Sequence, residues 1–155
     1  MHASIAISVP HAWQYVRTIR HRVEDSLKEF DSGIRSATVM TAAELVENAI
    51  KYGESVTAAQ SVSFAMVVDE TSMRIEVCNG SVDVAGVGEL LQRIEEVSRA
   101  ADKAALYMRR LEELMAVPTE SGKLGIYRIA FEGKFDLRCR YADQVVTVTA
   151  MRGPR

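Results

Sequence analysis

The hydrophobic pattern begins with "SIAISV" (4–9), a short apolar run bounded by Pro10, which predicts a strand. Over 12–30 the period changes. Trp13, Val16, Ile19, Val23, Leu27 and Phe30 recur at three- and four-residue intervals, the pattern of an amphipathic helix. The "DSG" of 31–33 breaks it. A second helix is predicted over 34–52, with Gly53 where a helix-ending glycine belongs. So brief a link implies two helices packed side by side. Strand patterns at 61–69 and 73–79, joined by "ETS", predict a hairpin. The stretch 80–89, with glycines at 80, 86 and 88, reads as a loop. A long helix follows over 90–117, or two helices with a bend near 98–103. Its seam is Leu91, Ile94, Val97, Ala101, Ala104, Ala105, Met108, Leu111 and Met115, and Pro118 stops it. A second glycine-containing loop (119–125), a short helix (126–133) and a terminal hairpin (135–141 with 145–152) complete the chain.

Strands cluster with strands and helices with helices, so the expected class is α+β: a two-layer sandwich with a mixed, mostly antiparallel sheet. Helices would cover one face of that sheet, leaving the other wet or covered by a partner. At 155 residues, without internal repeat or linker, the chain is expected to form one domain over 1–155. Hydrophobic residues at 48 % and charged residues at 26 % match ordinary globular proteins and argue against disorder or a membrane protein. The apolar runs fall short of the roughly 20 residues a bilayer needs. The first residues lack the features of a secretory leader, so a cytoplasmic location is expected. A net charge of −2 gives no electrostatic reason to expect nucleic acid. Cys78 and Cys139 are far apart in strand-like surroundings and read as buried thiols. No close Cys/His cluster suggests a thiolate metal site.

The chemistry concentrates in "TAAELVENAIKYGE" (41–54). On a helix Glu44, Asn48 and Lys51 share one face, with Glu47 at its edge. Leu45, Ala49 and Tyr52 occupy a second face, and Val46 and Ile50 a third. A helix apolar over most of its circumference is buried, and a polar stripe on it needs partners. That stripe is either an ordinary solvated face or the wall of a pocket. As a wall, an amide oxygen suits Mg²⁺, a carboxylate can take a proton from an attacking hydroxyl, and a lysine meets phosphate.

"ELVENAIKYG" resembles the N-box of the GHKL ATPase superfamily, which includes gyrase, Hsp90, histidine-kinase catalytic domains and the anti-sigma-factor serine kinases. Glu44, Asn48, Ala49, Lys51 and Tyr52 match the pattern position by position. The order of elements resembles that fold over nearly the whole chain. The resemblance implies ATP and Mg²⁺ as cofactors, with Asn48 holding Mg²⁺, Glu44 as general base, Lys51 near phosphate and Tyr52 lining the pocket. Two further motifs are kept in part. The family's aspartate-x-glycine-x-glycine is represented by "VCNGSVD" (77–83), where Asn79 stands in place of the aspartate, Gly80 follows, and the second glycine is absent. In the family that aspartate reads the adenine amino group; an asparagine oxygen still accepts a hydrogen bond, but without the charge that strengthens a carboxylate's. "SGKLGIYRIA" (121–130) resembles the glycine-rich opening of a later helix. Gly122, Leu124 and Gly125 fit it, and Lys123 fills a position often held by glycine. Between these motifs the family has a mobile lid, replaced here by the helical stretch 89–117.

Among the branches of the superfamily, small size and the lack of a sensor part resemble the anti-sigma-factor kinases. The function that this implies is an ATP-dependent serine/threonine kinase in a partner-switching pathway. It would act on a small STAS-domain antagonist or bind a sigma factor, with a homodimer as a further possibility. The alternative is a degenerate GHKL-fold protein-binding module without nucleotide turnover, to which Asn79, the missing glycine and the helical lid all point.

Overall fold

The computed structural model describes residues 1–52, 61–116 and 124–153. Its elements in order are β1 (His2–Pro10), α1 (Gln14–Ser26), α2 (Ser32–Tyr52), β2 (Ser61–Asp69), β3 (Met73–Gly80), α3 (Val84–Arg99), α4 (Lys103–Ala116), α5 (Gly125–Phe131), β4 (Asp136–Ala142) and β5 (Val145–Arg152). The strands form a five-stranded sheet in the order β1-β2-β3-β5-β4. All four pairings are antiparallel, so the expected α+β sandwich has a wholly antiparallel sheet.

Period-two alternation decides which face is dry. Ala3, Ile5 and Val9 of β1, the β2 residues Val62, Phe64, Met66 and Val68, and Val146, Val148 and Ala150 of β5 are buried on one side. Their neighbours Ser4, Ser8, Ser63 and Val67 face outward. The helices cover the dry side: Ile19, Val23 and Leu27 from the first, Ala42, Leu45, Val46 and Ala49 from the second, Ile94 and Val97 from α3, Ile126 and Ile129 from α5. At the β2–β3 turn the Asp69 carboxylate accepts hydrogen bonds from Thr71 and Ser72, and these pull its pKa down to about 2. Among the described residues no helix is long and apolar enough to cross a membrane.

Several boundaries differ from expectation for local reasons. Helix α1 ends at Ser26, although the chain keeps turning, with the Phe30 amide donating to the Leu27 carbonyl. The "DSG" break starts the next helix, because the Asp31 carboxylate accepts from the amides of Gly33 and Ile34. The supposed loop 80–89 is already helical from Val84. Asp83 caps it by accepting from the Gly86 amide, and Val87, Leu90, Ile94 and Val97 supply the buried stripe. The 90–117 stretch is two helices, parted at Ala100–Asp102 where Ala100 is extended. That break resets the helical phase, so the expected seam does not run on. In α4 Leu106 is buried, while Ala105, Met108 and Met115 are exposed, as is Ala101 in the break before it. Gly53 and Pro118 lie outside the described residues.

Candidate functional site

Helix α2 buries Leu45, Val46, Ala49 and Ile50 and turns its remaining face to a cleft of about 450 Å³. Glu44, Glu47, Asn48 and Lys51 form one wall, Leu124, Gly125 and Arg128 the other, and Trp13 stands at its edge. The polar stripe of "ELVENAIK" thus faces a concavity. Asn48 is 8 % exposed, and its Nδ2 is buried with no hydrogen-bond partner among the described residues. A buried donor left unmade is costly, so this amide, which lines both the cleft and a second space behind it, is open to an acceptor.

Glu44 is held from across the cleft. Its Oε1 lies 3.7 Å from the Arg128 guanidinium, which also donates to Glu132 at 2.7 Å. Burial raises the Glu44 pKa, the adjacent Glu47 raises it further, and Arg128 opposes both. A Cβ at position 125 would run into the Glu44 carboxylate, so a side chain at the second glycine of "SGKLG" would push that carboxylate into another position. A second concavity of about 420 Å³, with Arg20, Arg35, Met40 and Ala43 in its lining, shares Glu44, Glu47 and Arg128 with the first.

Asn79 and Gly80 close β3 opposite Val146 and Val145. Asn79 is 7 % exposed, and its Nδ2 donates to the carbonyls of Ala49 and Gly80, both at 3.1 Å. Between Asn48 and Asn79 lies the slot where the family resemblance places a nucleobase. Leu45, Ala49, Val77, Leu90, Val146 and Val148 complete its walls, and its free volume is only about 10 Å³. That is room for one water at most.

The structure therefore brings Glu44, Asn48, Lys51, Leu124 and Gly125 to one cleft, and sets Asn79 at a second, closed space behind Asn48, with Gly80 next to Asn79 in β3 but outside that lining. The Tyr52 side chain, Gly122 and Lys123 lie outside the described residues. Three cleft residues were not foreseen. Glu47 lines the wall beside Glu44 rather than its edge. Arg128 is three residues from Gly125 on one short helix, a spacing that signals a shared face. Trp13 was expected in the core but is 59 % exposed, because it precedes the first turn of α1 rather than lying within it.

The two spaces answer differently to a Mg-nucleotide. The open cleft fits its phosphate end: an unpartnered buried amide, a carboxylate, a lysine, and a glycine where a side chain would intrude. Among the described residues no cluster of three or more His, Cys, Asp or Glu could hold a metal unaided. Mg²⁺ commonly needs only one or two protein ligands when substrate phosphates supply others. The slot for the base does not admit a purine in this conformation.

No family model and no curated protein matches the chain. Solved structures do. A chain from the SiaB-SiaC complex of Pseudomonas aeruginosa superposes with a TM-score of 0.71 at 18 % identity, over 95 % of this chain and 88 % of that one. A chain with the RsbU and RsbW domains of Rv1364c from Mycobacterium tuberculosis matches with a TM-score of 0.50 at 17 % identity. That match takes in 98 % of this chain but 34 % of the longer one. At such identities the likeness is one of fold alone, a fold this chain shares with those two.

Proposed function

We propose that this protein is a partner-switching regulator of the anti-sigma-factor-kinase type. It binds a small regulatory protein and phosphorylates a serine or threonine on it at the Glu44–Asn48 cleft. The observation that carries this reading is the buried, unpartnered Asn48 amide on the cleft floor between Glu44 and Lys51. The fold shared with a chain of the SiaB-SiaC complex, itself an assembly of two proteins, supports the partner. By the resemblance in "ELVENAIKYG", that partner is a STAS-domain antagonist or a sigma factor.

Mg-ATP, when bound, supplies the phosphoryl group and the metal charge that offsets the phosphates. Asn48 would hold the metal through its side-chain oxygen, and Lys51, on the same wall, would meet phosphate oxygens. Glu44 would take the proton of the partner's hydroxyl as that oxygen receives the phosphoryl group and the nucleoside diphosphate leaves. Its raised pKa suits that task, since a more basic carboxylate holds the proton better. Arg128 positions Glu44 from across the cleft.

A second reading is favoured by one specific observation, the closed slot of about 10 Å³ between Asn48 and Asn79. In it the protein is a binding module of the same fold that has lost nucleotide turnover. Calorimetric titration with ATP and Mg²⁺ separates the two. For the kinase, wild type binds in the micromolar range, Asn48→Ala weakens binding, and Glu44→Ala leaves it intact. Absence of heat and of thermal shift at millimolar ATP leaves the binding module standing.

A further inference from the structure

Glu44 lines the cleft with both carboxylate oxygens unbonded. Among the described residues no hydrogen-bond donor reaches either. Oε1 is 3.7 Å from Nη1 of Arg128, too far for a bond, and Oε2 lies over Gly125, where a Cβ would collide with it. A guanidinium beside a carboxylate commonly closes on it through two parallel N–H···O bonds. Here it does not. Arg128 Nε donates instead to Glu132 Oε2 at 2.7 Å, four residues on in the chain. Glu132 is itself braced from α4: the Tyr107 hydroxyl donates to its Oε1 at 3.4 Å, and the Tyr107 ring packs on Phe131 with centres 5.1 Å apart. With that edge engaged, the guanidinium acts on Glu44 by charge and not by a bond.

We propose that Glu132 is a positioning residue for Glu44, acting through Arg128: it retains the guanidinium and so keeps the Glu44 oxygens open to a hydroxyl in the cleft. Its catalytic consequence rests on the reading of Glu44 as the base. As a contribution to stability the Arg128–Glu132 pair is slight, because its side chains are 45 % and 42 % exposed and such pairs are well screened by solvent. What the pair fixes is direction. A cation with five N–H donors stands within a small movement of Glu44, and one of those donors is held on the far carboxylate. Without Glu132 the fork is released and closes on Glu44, occupying the oxygens that must take the proton.

The test follows the Arg128 Nε–H resonance of the isotope-labelled full chain by NMR, which reports the acceptor of that bond and needs no nucleotide. Expected are a large shift in Glu132→Ala, a smaller one in Glu132→Gln, which keeps an acceptor without its charge, and little change in Glu44→Gln. In the Glu132→Ala background Glu44→Gln should then shift the resonance again, because the released guanidinium has closed on Glu44. With an identified protein substrate, Glu132→Ala should lower kcat about tenfold with KM for ATP unchanged, and adding Arg128→Gln should restore part of that loss. An Arg128 resonance indifferent to Glu132, or one already moved by Glu44→Gln alone, overturns the proposal, as does a kcat loss that Arg128→Gln deepens. The expected resonance pattern with no transfer by any variant, wild type included, overturns the kinase reading and leaves the hold of Glu132 on Arg128 standing.

Discussion

The open cleft and the closed slot share Asn48 as a common wall and differ in almost everything else. The cleft is polar, lined by Glu44, Glu47, Lys51 and Arg128, and holds about 450 Å³. The slot is lined mostly by Leu, Val and Ala and holds about 10 Å³. One is walled by charged and polar side chains around open space, the other by apolar side chains packed against one another. On the proposed reading the cleft is the place for phosphate and metal, while the chain's own core packs into the place for a base. The two halves of the site accordingly respond differently to substitution.

The largest effect expected is on the cleft. Glu44→Ala, assayed with an identified protein substrate, should lower the transfer rate by about a hundred- to ten-thousandfold, the usual worth of a general base, with nucleotide affinity spared. Retained transfer would remove Glu44 from its assigned role. Next comes the slot. Leu90→Ala should cost about 2–4 kcal/mol in urea unfolding, the range for a buried leucine, whereas a Lys51→Ala change on the exposed wall should cost well under about 1 kcal/mol. Equal costs would mean that the slot is no better packed than the cleft. Asn48→Ala, at the boundary, should weaken Mg-ATP by about tenfold in calorimetry, about 1.4 kcal/mol, because it removes the amide that faces the ligand.

The smallest effect is a matter of pH. Since the folded protein raises the Glu44 pKa above its ordinary value, the native state binds that proton more tightly than the unfolded chain. The associated stabilisation is full below the unfolded pKa and is lost as pH rises through the folded one. Neighbouring charges enter as Glu47 on the same helix and Arg128 and Glu132 on the facing one. Glu44→Gln should therefore be slightly more stable than wild type at neutral pH, and the gain should fade as the solution is acidified toward about pH 4. Urea midpoints measured across that range check the sign. A gain that persists in acid would point to packing rather than charge.

Much of this was legible in the residues. The three-and-four spacing of α1, the apolar circumference of α2 and the alternation in the terminal hairpin are local signals, and each element formed where its pattern lay. The stripe Glu44–Asn48–Lys51 could be assigned to one face because helical geometry alone puts it there. What escaped depends on contacts between distant segments or on a single cap. The glycines at 80, 86 and 88 argued for a loop, yet Asp83 accepting from the Gly86 amide is enough to start α3 early. The extended Ala100 turned α4 off the seam of α3, a rotation that no periodicity contains. The packing of Leu90 beside Val77, Val146 and Val148 was equally out of reach, since it brings together residues distant in the chain.

The antiparallel pairing of β3 with β5 has a consequence for how the molecule is assembled. It joins Asn79 to Val146 and Gly80 to Val145 across a stretch of chain holding three helices and another strand. Closing so long a span costs entropy before any contact repays it, so this ladder belongs to the slow, late part of folding. Helix α2 carries Glu44 and Asn48 on local bonds and needs no such closure. On a ribosome, the residues proposed to meet phosphate emerge and can turn helical well before β5, a wall of the closed slot, has been synthesised.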